Sequence, residues 1–443
     1  MLRIHYICVS CVRSILFWGI GLALVALVAC SSDDPPSNGG TSSSSIVDGE
    51  WPFDSSGEDL ETTPGLDDME LENVITIEYK GGKVEINNPY PNKVSIETNG
   101  ENVVVIVNSN TEYNFVISGT TTDGSLRIYG TDAKKRLYLN NVSITNSKGS
   151  AINIQKSDRI IVHLLGGTRN FLTDSPGYKC TKNEEQAKGE EQAKGAFFSE
   201  GKLEFEGSGS LEVRGKCNHA IAVDNVLEMN YGKIIVSESV KDGIHANDKI
   251  KVKGGVLKIT STGDAIQNEK DSIRVTGGKI AALTKGIKSH GITSDAGPIR
   301  IDSNAIVQIS VLGDGSKGIK TDSNSVIFLG GKTFIKVSGT KHTNAPNDDS
   351  TPAGIKVATS LDFKGGELTI KSPGNGARGI SSDNDVTISA GKIDIDADDA
   401  GIKVLGTLKI EGGTGNIKST KTDAINGKHE ITGGNVTIKN GGF

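Results

Sequence analysis

The sequence predicts an all-β protein, a right-handed parallel β-helix of about eleven coils with roughly 22 residues each. The first observation behind this prediction is a phrase of one small and one aliphatic residue, which returns after 24, 23, 22 and 21 residues in mid-chain. The second is a Gly-Gly pair that recurs about halfway through each period. A fixed period of this size is typical of a solenoid. A left-handed helix of hexapeptide repeats is disfavoured because the period is not a multiple of six.

Each coil alternates apolar and polar residues on both sides of the Gly-Gly pair, as in "IKVKGGVLKIT" and "HEITGGNVTIK". A period of two places one face of a strand inward and the other in solvent. The glycines are expected at corners, since glycine adopts positive φ without penalty. The aliphatic residues of the recurring phrase should stack as one internal ladder, which contains Ile244, Ile266, Ile287, Ile319, Ile355 and Ile402.

Residues 1–30 are predicted to be an export signal. Two arginines supply positive charge, and the apolar run "ILFWGIGLALVALVA" ends at Cys30 in a sequence that resembles a lipobox. Cleavage there would leave Cys30 as a lipid-carrying N-terminus. A plain secretory signal or an uncleaved anchor is the alternative. We therefore expect a lipoprotein that is anchored at a bacterial membrane, on the cell surface or in the periplasm.

The rest of the chain divides by composition. Residues 31–72 are rich in Ser, Gly, Pro and acid and contain no Lys or Arg, which predicts a disordered tether. Residues 73–139 are strand-like without the clean repeat and should start or cap the solenoid, and residues 140–443 should form the repeating β-helix. Residues 73–443 carry 46 basic and 42 acidic residues, and this mildly basic balance permits an anionic partner. We expect a monomer and no nucleic-acid partner.

Two of the five cysteines, Cys180 and Cys217, lie beyond the predicted cleavage site. No CxxC metal spacing remains after cleavage. Outside the cytoplasm these two cysteines can form a disulfide or stay as two thiols, and the sequence leaves both readings open.

Several phrases together resemble a known family: "YNFVISGTTTDGSLRI", "LYLNNVSITNSKGSAINI", "GSGSLEVRGKCNHAI" and the "DGI/DAI…GG" coils. The chain is similar to the bacterial exported, calcium-binding, carbohydrate-binding β-helix proteins, which resemble pectate lyases in fold. The resemblance runs from about residue 73 to the C-terminus. It implies a carbohydrate-binding domain that binds plant cell-wall polysaccharide, notably acidic pectin, with bound Ca²⁺ and without established catalysis.

Aspartates precede the small-aliphatic phrase in two successive coils. Stacking would place Asp242 and Asp264 about 5 Å apart, where they would repel each other unless a cation lay between them. Asp248 and Asp271 follow on the same coils as further oxygen ligands, so the pattern predicts a Ca²⁺ site. The alternative is that aspartate merely suits a turn or pairs with Lys285 on the next coil.

A second column follows the aliphatic residue and contains several lysines. Stacked lysines on an exposed strand repel each other unless an anion neutralises them. The inserts at 172–195, 289–298 and 341–352 are expected to border the same face, where repeat proteins carry binding loops. The alternative is that these lysines form an ordinary solvated surface. The predicted carbohydrate-binding residues are Lys288, Lys320, Lys356 and Lys403.

We expect a cell-surface lipoprotein that binds acidic cell-wall polysaccharide such as polygalacturonate. Aromatic residues make up only 5% of the chain, too few for a broad stacking platform for cellulose. A calcium-dependent polysaccharide lyase is the first alternative, with the catalytic base among Lys285, Lys288, Lys317 and Arg378. A structural adhesin is the second.

Overall fold

The computed structural model describes residues 69–130, 135–176, 194–344 and 349–442. It confirms the predicted fold: a right-handed parallel β-helix, with about 13 coils rather than eleven. In chain order the strands are β1 (Val74–Lys80), β2 (Val84–Asn87), β3 (Val94–Asn99), β4 (Asn102–Val107), β5 (Tyr113–Thr121), β6 (Ser125–Gly130), β7 (Lys135–Thr145), β8 (Ile152–Gln155), β9 (Arg159–Leu164), β10 (Arg169–Thr173), β11 (Gly195–Ser199), β12 (Lys202–Gly207), β13 (Ser210–Gly215), β14 (His219–Val223), β15 (Leu227–Met229), β16 (Lys233–Ser239), β17 (Ile244–Ala246) and β18 (Ile250–Val252). They continue as β19 (Val256–Ser261), β20 (Ile266–Asn268), β21 (Ile273–Thr284), β22 (Ile292–Ser294), β23 (Ile299–Val311), β24 (Lys317–Thr321), β25 (Val326–Phe328), β26 (Lys332–Val337), β27 (Ala353–Val357), β28 (Ser360–Phe363), β29 (Glu367–Ser372), β30 (Arg378–Ser382), β31 (Asp385–Ile388), β32 (Lys392–Ala397), β33 (Ile402–Ile410), β34 (Thr414–Ser419), β35 (Ile425–Ile431) and β36 (Asn435–Lys439).

Each coil contributes to three parallel sheets. The first, called sheet A here, is the one that carries the recurring phrase. Its strands pair in register, so that Ile244 lies beside Ile266, and Ile319 lies beside Ile355. Sheet A contains β4, β6, β8, β11, β14, β17, β20, β22, β24, β27, β30 and the first parts of β33 and β35.

Packing between two sheets explains why the first residue of the recurring phrase is small. At Gly318 an added Cβ would overlap Cγ2 of Ile335, which points inward from β26 on another side of the solenoid. Gly354 meets Ile370 in the same way. The inward isoleucines of the two sheets therefore interlock only where the residue before each sheet A isoleucine is small. This contact explains why the phrase recurs.

The predicted register is wrong at one coil. Ile287 is 60% exposed, whereas Ile292 is fully buried and pairs with Ile266 and Ile319. Gly-Ile occurs twice here, at two positions five residues apart, and both copies satisfy the local pattern. Only the second lets its glycine, Gly291, pack against Ile309 as the rest of the column does. The extra residues therefore precede the strand, and the predicted 289–298 insert contains β22 itself.

The additional coils lie at the N-terminal end. There β4 and β6 enter sheet A without the small-aliphatic phrase, so counting phrases underestimates the number of coils. The hairpins β1–β2 and β3–β4 are antiparallel, and β1 also pairs in parallel with β5. The end strands of the solenoid thus gain local antiparallel partners, which limits edge-to-edge pairing with other chains.

Several predictions lie outside the described residues: the signal at 1–30 with Cys30, nearly all of the tether at 31–72, and Cys180. Cys217 is disulfide-bonded. Within the part of the chain that the structure describes, no helix has the length and hydropathy that a membrane crossing requires.

Candidate functional site

The outward face of sheet A carries one column of side chains directly after the ladder isoleucines. Its polar members from β17 onward are His245, Gln267, Thr293, Lys320, Lys356, Ser381, Lys403 and Asn426. Lys320 and Lys356 are neighbours, and Lys403 follows one coil beyond Ser381, as predicted. Lys288 is not a member, because the corrected register puts Thr293 in its place. Lys288 instead occupies a turn with φ of 56°.

Three of the lysines after β22 border a cavity of about 300 Å³, called the cation cavity here: Lys317, Lys356 and Lys403. Two of the four cationic side chains that line it directly follow a ladder isoleucine, and the other two lie just before the glycine of a recurring phrase. Serines and two aspartates supply most of the remaining polar lining. The lining includes Lys317, Asp349, Ser350, Lys356, Arg378, Ser381, Asp383, Lys403 and Leu405.

Lys317 occupies the centre of this positive cluster. Its Nζ donates to the carbonyl oxygen of Gly315 at 2.7 Å and to the hydroxyl of Ser350. Burial, and then the charges of Lys320, Lys288 and Lys356, lower the pKa of Lys317 to about 8. Lys288 therefore remains electrostatically part of the cluster although it lies off the column.

Two of the surrounding lysines form ion pairs with carboxylates of the described residues, and a third does not. Lys320 contacts Asp322 at 2.7 Å, and Lys356 contacts Asp383. Both carboxylates are nearly half exposed, and ion pairs at such positions contribute about 0–1 kcal/mol. Lys403 has no carboxylate partner among the described residues. A ligand carboxylate can therefore replace these partners at little cost.

Arg378 is paired with a more buried carboxylate than Lys320 and Lys356 are. Its Nε lies 3.0 Å from Oδ2 of Asp399, and both side chains are mostly buried. This ion pair holds the guanidinium at the first residue of β30 and leaves its other N–H groups available to a ligand. A guanidinium presents a planar fork that suits carboxylate binding.

The column just before the small residue has a different role in the coils before Lys317. Each of its side chains accepts a hydrogen bond from the peptide N–H one coil further along. Oδ1 of Asp242 accepts from Asp264 at 2.9 Å, Oδ1 of Asp264 accepts from His290 at 2.6 Å, and Nδ1 of His290 accepts from Lys317 at 3.0 Å. These contacts satisfy backbone groups at the entrance to sheet A.

The two stacked aspartates differ strongly in electrostatic environment. Burial opposes the charge of Asp242, yet contacts with His219 and His245 lower its pKa well below the usual range. Burial, and then the neighbouring Asp242 carboxylate, raise the pKa of Asp264 to about 7. The repulsion that the sequence predicts is thus relieved by two imidazoles on one aspartate and by partial protonation of the other.

Asp248 and Asp271 lie at the opposite end of the short strands from Asp242 and Asp264. Asp248 faces Lys270 at 3.8 Å, and Asp271 contacts Lys249 at 2.8 Å. Ca²⁺ takes six to eight oxygen ligands in proteins. The four predicted aspartates do not converge on one point, and Asp242 is engaged by nitrogen groups, so together they do not fit one calcium site.

Sequence reasoning did not identify the histidines of this face as site residues. The chain has only seven histidines, and three of them flank the recurring phrase: His219, His245 and His290. That concentration of a rare residue at equivalent coil positions was the available signal. The wrong register at Ile287 concealed His290.

Comparisons with known proteins concern the solenoid as a whole. A family model described as carbohydrate-binding domain-containing protein matches residues 99–378 and 365–443. A carbohydrate-binding domain-containing protein of Acetivibrio thermocellus is 28% identical over 123 residues, which is 28% of this chain and 41% of that protein. The chain thus spans about two fifths of the length of this relative. A solved structure of a polysaccharide lyase-like protein from C. thermocellum, a gadolinium derivative, aligns with a TM-score of 0.49 and 24% identity over 57% of this chain and 96% of that chain.

Proposed function

Because the chain belongs to the family of carbohydrate-binding domain-containing proteins, we propose that its ligand is an acidic cell-wall polysaccharide of the polygalacturonate class. The ligand would bind along sheet A at the cation cavity. The observation that carries this proposal is Lys317, which lines the cavity, is partly buried, and lies close enough to three other lysines to be affected by their charge. Such a concentration of positive charge favours a polyanion over a neutral glucan.

The spacing of the cations supports a chain-like ligand. Sheet A repeats about every 4.8 Å along the solenoid axis, so Lys320, Lys356 and Lys403 form a row over several coils. A polyuronate carries one carboxylate per sugar and can meet successive cations of such a row. Leu405 is 69% exposed at the end of the cavity and offers an apolar surface for a sugar ring.

The test compares two triple variants with the same change in charge. One replaces Lys320, Lys356 and Lys403 by alanine. The control replaces three ion-paired surface lysines outside sheet A by alanine: Lys332, Lys364 and Lys392. The first variant should lose about tenfold in affinity for polygalacturonate on a pectate affinity gel, at roughly 0.5 kcal/mol per exposed contact. The control should bind within about twofold of the parent.

Salt and competitors separate this proposal from a general charge effect. Retention of the parent should fall as the Debye length decreases below about 10 Å. Neutral glucans should not compete with polygalacturonate. Equal losses in both triple variants, or equal competition by a neutral glucan, would refute the cavity as an acidic-glycan site.

Calcium and the lipid anchor remain predictions beside this proposal. No step above depends on calcium, because the four aspartates do not converge. If calcium is required, EDTA should lower both the melting temperature and pectate retention, and added Ca²⁺ should restore them. We also propose attachment through Cys30, for which Cys30→Ala should abolish incorporation of labelled fatty acid.

A lyase is the second candidate, and the lowered pKa of Lys317 favours it. A neutral amine can remove the proton next to a uronate carboxylate while Arg378 neutralises that carboxylate. The carbon–carbon double bond then forms as the bond to the glycosidic oxygen breaks, and that oxygen takes a proton from water. Incubation with polygalacturonate should then yield an unsaturated product with ultraviolet absorbance. Its absence in the parent protein would leave binding as the function.

A further inference from the structure

A second cluster on the same face lies several coils before the cation cavity. It consists of His219 at the start of β14, Asp242 just before β17, and His245 within β17. One nitrogen of each imidazole and one carboxylate oxygen all lie within 4.8 Å of one another. We propose that these three residues bind a divalent transition-metal ion of the Zn²⁺ and Co²⁺ class.

The geometry of the ligand atoms suits one shared ion. Nδ1 of His219 lies 3.1 Å from Oδ2 of Asp242, and Nδ1 of His245 lies 3.2 Å from the same oxygen. Ligands that are each about 2 Å from a common Zn²⁺ lie about 3 Å apart. The two imidazoles stack with centroids 4.5 Å apart and planes 26° apart, and Nδ1 of each ring is the atom nearest to Oδ2 of Asp242.

The fold positions these side chains rigidly. His219 and Asp242 occupy the same column on successive coils, where the Ala220 N–H donates to the Asp242 carbonyl oxygen at 3.1 Å. His245 pairs across the sheet with Ala222, whose small side chain leaves room for both rings. An ion at this point would join two coils through side chains that the backbone already holds in register.

Groups around the cluster orient the ligands. Oδ1 of Asp242 accepts the Asp264 amide and leaves Oδ2 toward the imidazoles. Nε2 of His245 lies 3.3 Å from Oε1 of Glu269, an arrangement in which a carboxylate holds the far side of a metal-binding imidazole. The Asp242 amide also donates to Nδ1 of His219 at 3.3 Å, a long hydrogen bond that a metal ion would have to replace.

The donor set selects the class of ion. Two imidazole nitrogens and one carboxylate suit zinc, copper, nickel or iron, whereas Ca²⁺ prefers an all-oxygen shell. Three protein ligands leave further coordination positions for water. The side chains of His219, Asp242 and His245 are 11%, 12% and 12% exposed, which leaves a path for an ion from solvent.

The experiment uses the exported chain without a histidine tag, after dialysis against a chelator. Co²⁺ should bind at one equivalent with visible absorbance bands, Zn²⁺ should displace it and raise the melting temperature, and Ca²⁺ should do neither. His245→Gln and Asp242→Asn should each abolish the one-equivalent step. Glu269→Gln should weaken it by about 10-fold or more.

His429→Gln is the matched control, since His429 is exposed and distant in sequence from the cluster. It should bind Co²⁺ as the parent does. The proposal is overturned if the parent binds no stoichiometric Co²⁺, if His245→Gln binds it unchanged, or if Ca²⁺ displaces it at equal concentration. Circular dichroism of His245→Gln, which keeps a side chain of similar length, verifies that lost binding is not lost folding.

Discussion

Two segments of one column on sheet A carry opposite chemistry. From His219 to His290 the side chains before the small residue are imidazoles and carboxylates, and each accepts the amide of the next coil or faces a neighbour in the cluster. From Lys317 onward two of the same positions hold Lys317 and Arg378, and these two side chains line the cation cavity together with Lys356 and Lys403 of the adjacent column. The backbone register is the same in both segments.

The difference shows that the solenoid determines where side chains lie but not what they bind. In the first segment the polar atoms are used to satisfy the backbone and one another, which leaves a compact group suited to a single ion. In the second segment the long side chains extend past the backbone into a cavity. The function of a position in the column therefore depends on its side chain and on the residues next to it.

The largest expected effect tests the junction between the two segments, where the sequence and the structure disagree on register. Ile292→Asp would place an uncompensated charge in the core and should lower the free energy of unfolding by several kcal/mol. Ile287→Asp should change it by no more than about 0.5 kcal/mol, because Ile287 is exposed. Chemical denaturation of both variants measures the difference. The reverse order would restore the register that the sequence predicts.

A smaller effect concerns the protonation of the first segment. The pKa of Asp264 in the folded protein is about 7, above its ordinary value of 3.8, so between these values the folded state holds a proton that the unfolded state has lost. The stability that Asp264 contributes is therefore lost as pH rises from about 4 to about 7. Asp264→Asn keeps the acceptor for the His290 amide and should be more stable than the parent at pH 7, on the order of 1 kcal/mol.

Melting temperatures of this variant and the parent across that pH range test the assignment. The advantage of Asp264→Asn should grow between pH 4 and pH 7 and then level off. Asp396→Asn, at an exposed position on β32, should show no such growth. A constant difference at all pH values would mean that Asp264 is ionised in the folded protein.

The smallest effect concerns the second segment. Lys317 is protonated below a pKa of about 8 and loses its charge above it. Polygalacturonate binding should therefore weaken by about two- to fivefold between pH 7 and pH 9, because the cavity loses one of its positive charges. Lys317→Arg keeps its charge over this range and should show a flatter profile. Binding titrations at fixed ionic strength measure both pH profiles. Identical profiles for the parent and Lys317→Arg would mean that the charge of Lys317 does not contribute to binding.

The sequence alone predicted the fold class well. In each coil the isoleucine of the recurring phrase marks an inward position, and the Gly-Gly pair marks a corner. It also predicted that Lys320, Lys356 and Lys403 share a face, because the alternation of side chains along each strand and the coil length together determine which residues lie on one face. It did not predict the two coils at β4 and β6, where Asn102-Val103 and Ser125-Leu126 stand in place of a Gly-Ile or Ala-Ile phrase. It chose the wrong one of two Gly-Ile phrases at residues 286–292, which both satisfy the local pattern.

What only the tertiary structure decided is which groups meet between coils. Asp242 and Asp264 stack as predicted, but their environment depends on His219 one coil below and His290 one coil above, residues more than 20 positions away in the chain. Likewise, Lys317 joins Arg378 at one cavity because three successive strands of sheet A bring them together. A sequence states which residues each coil presents. The charge, protonation and ligands of those residues depend on contacts between coils, which only the register of the folded solenoid determines.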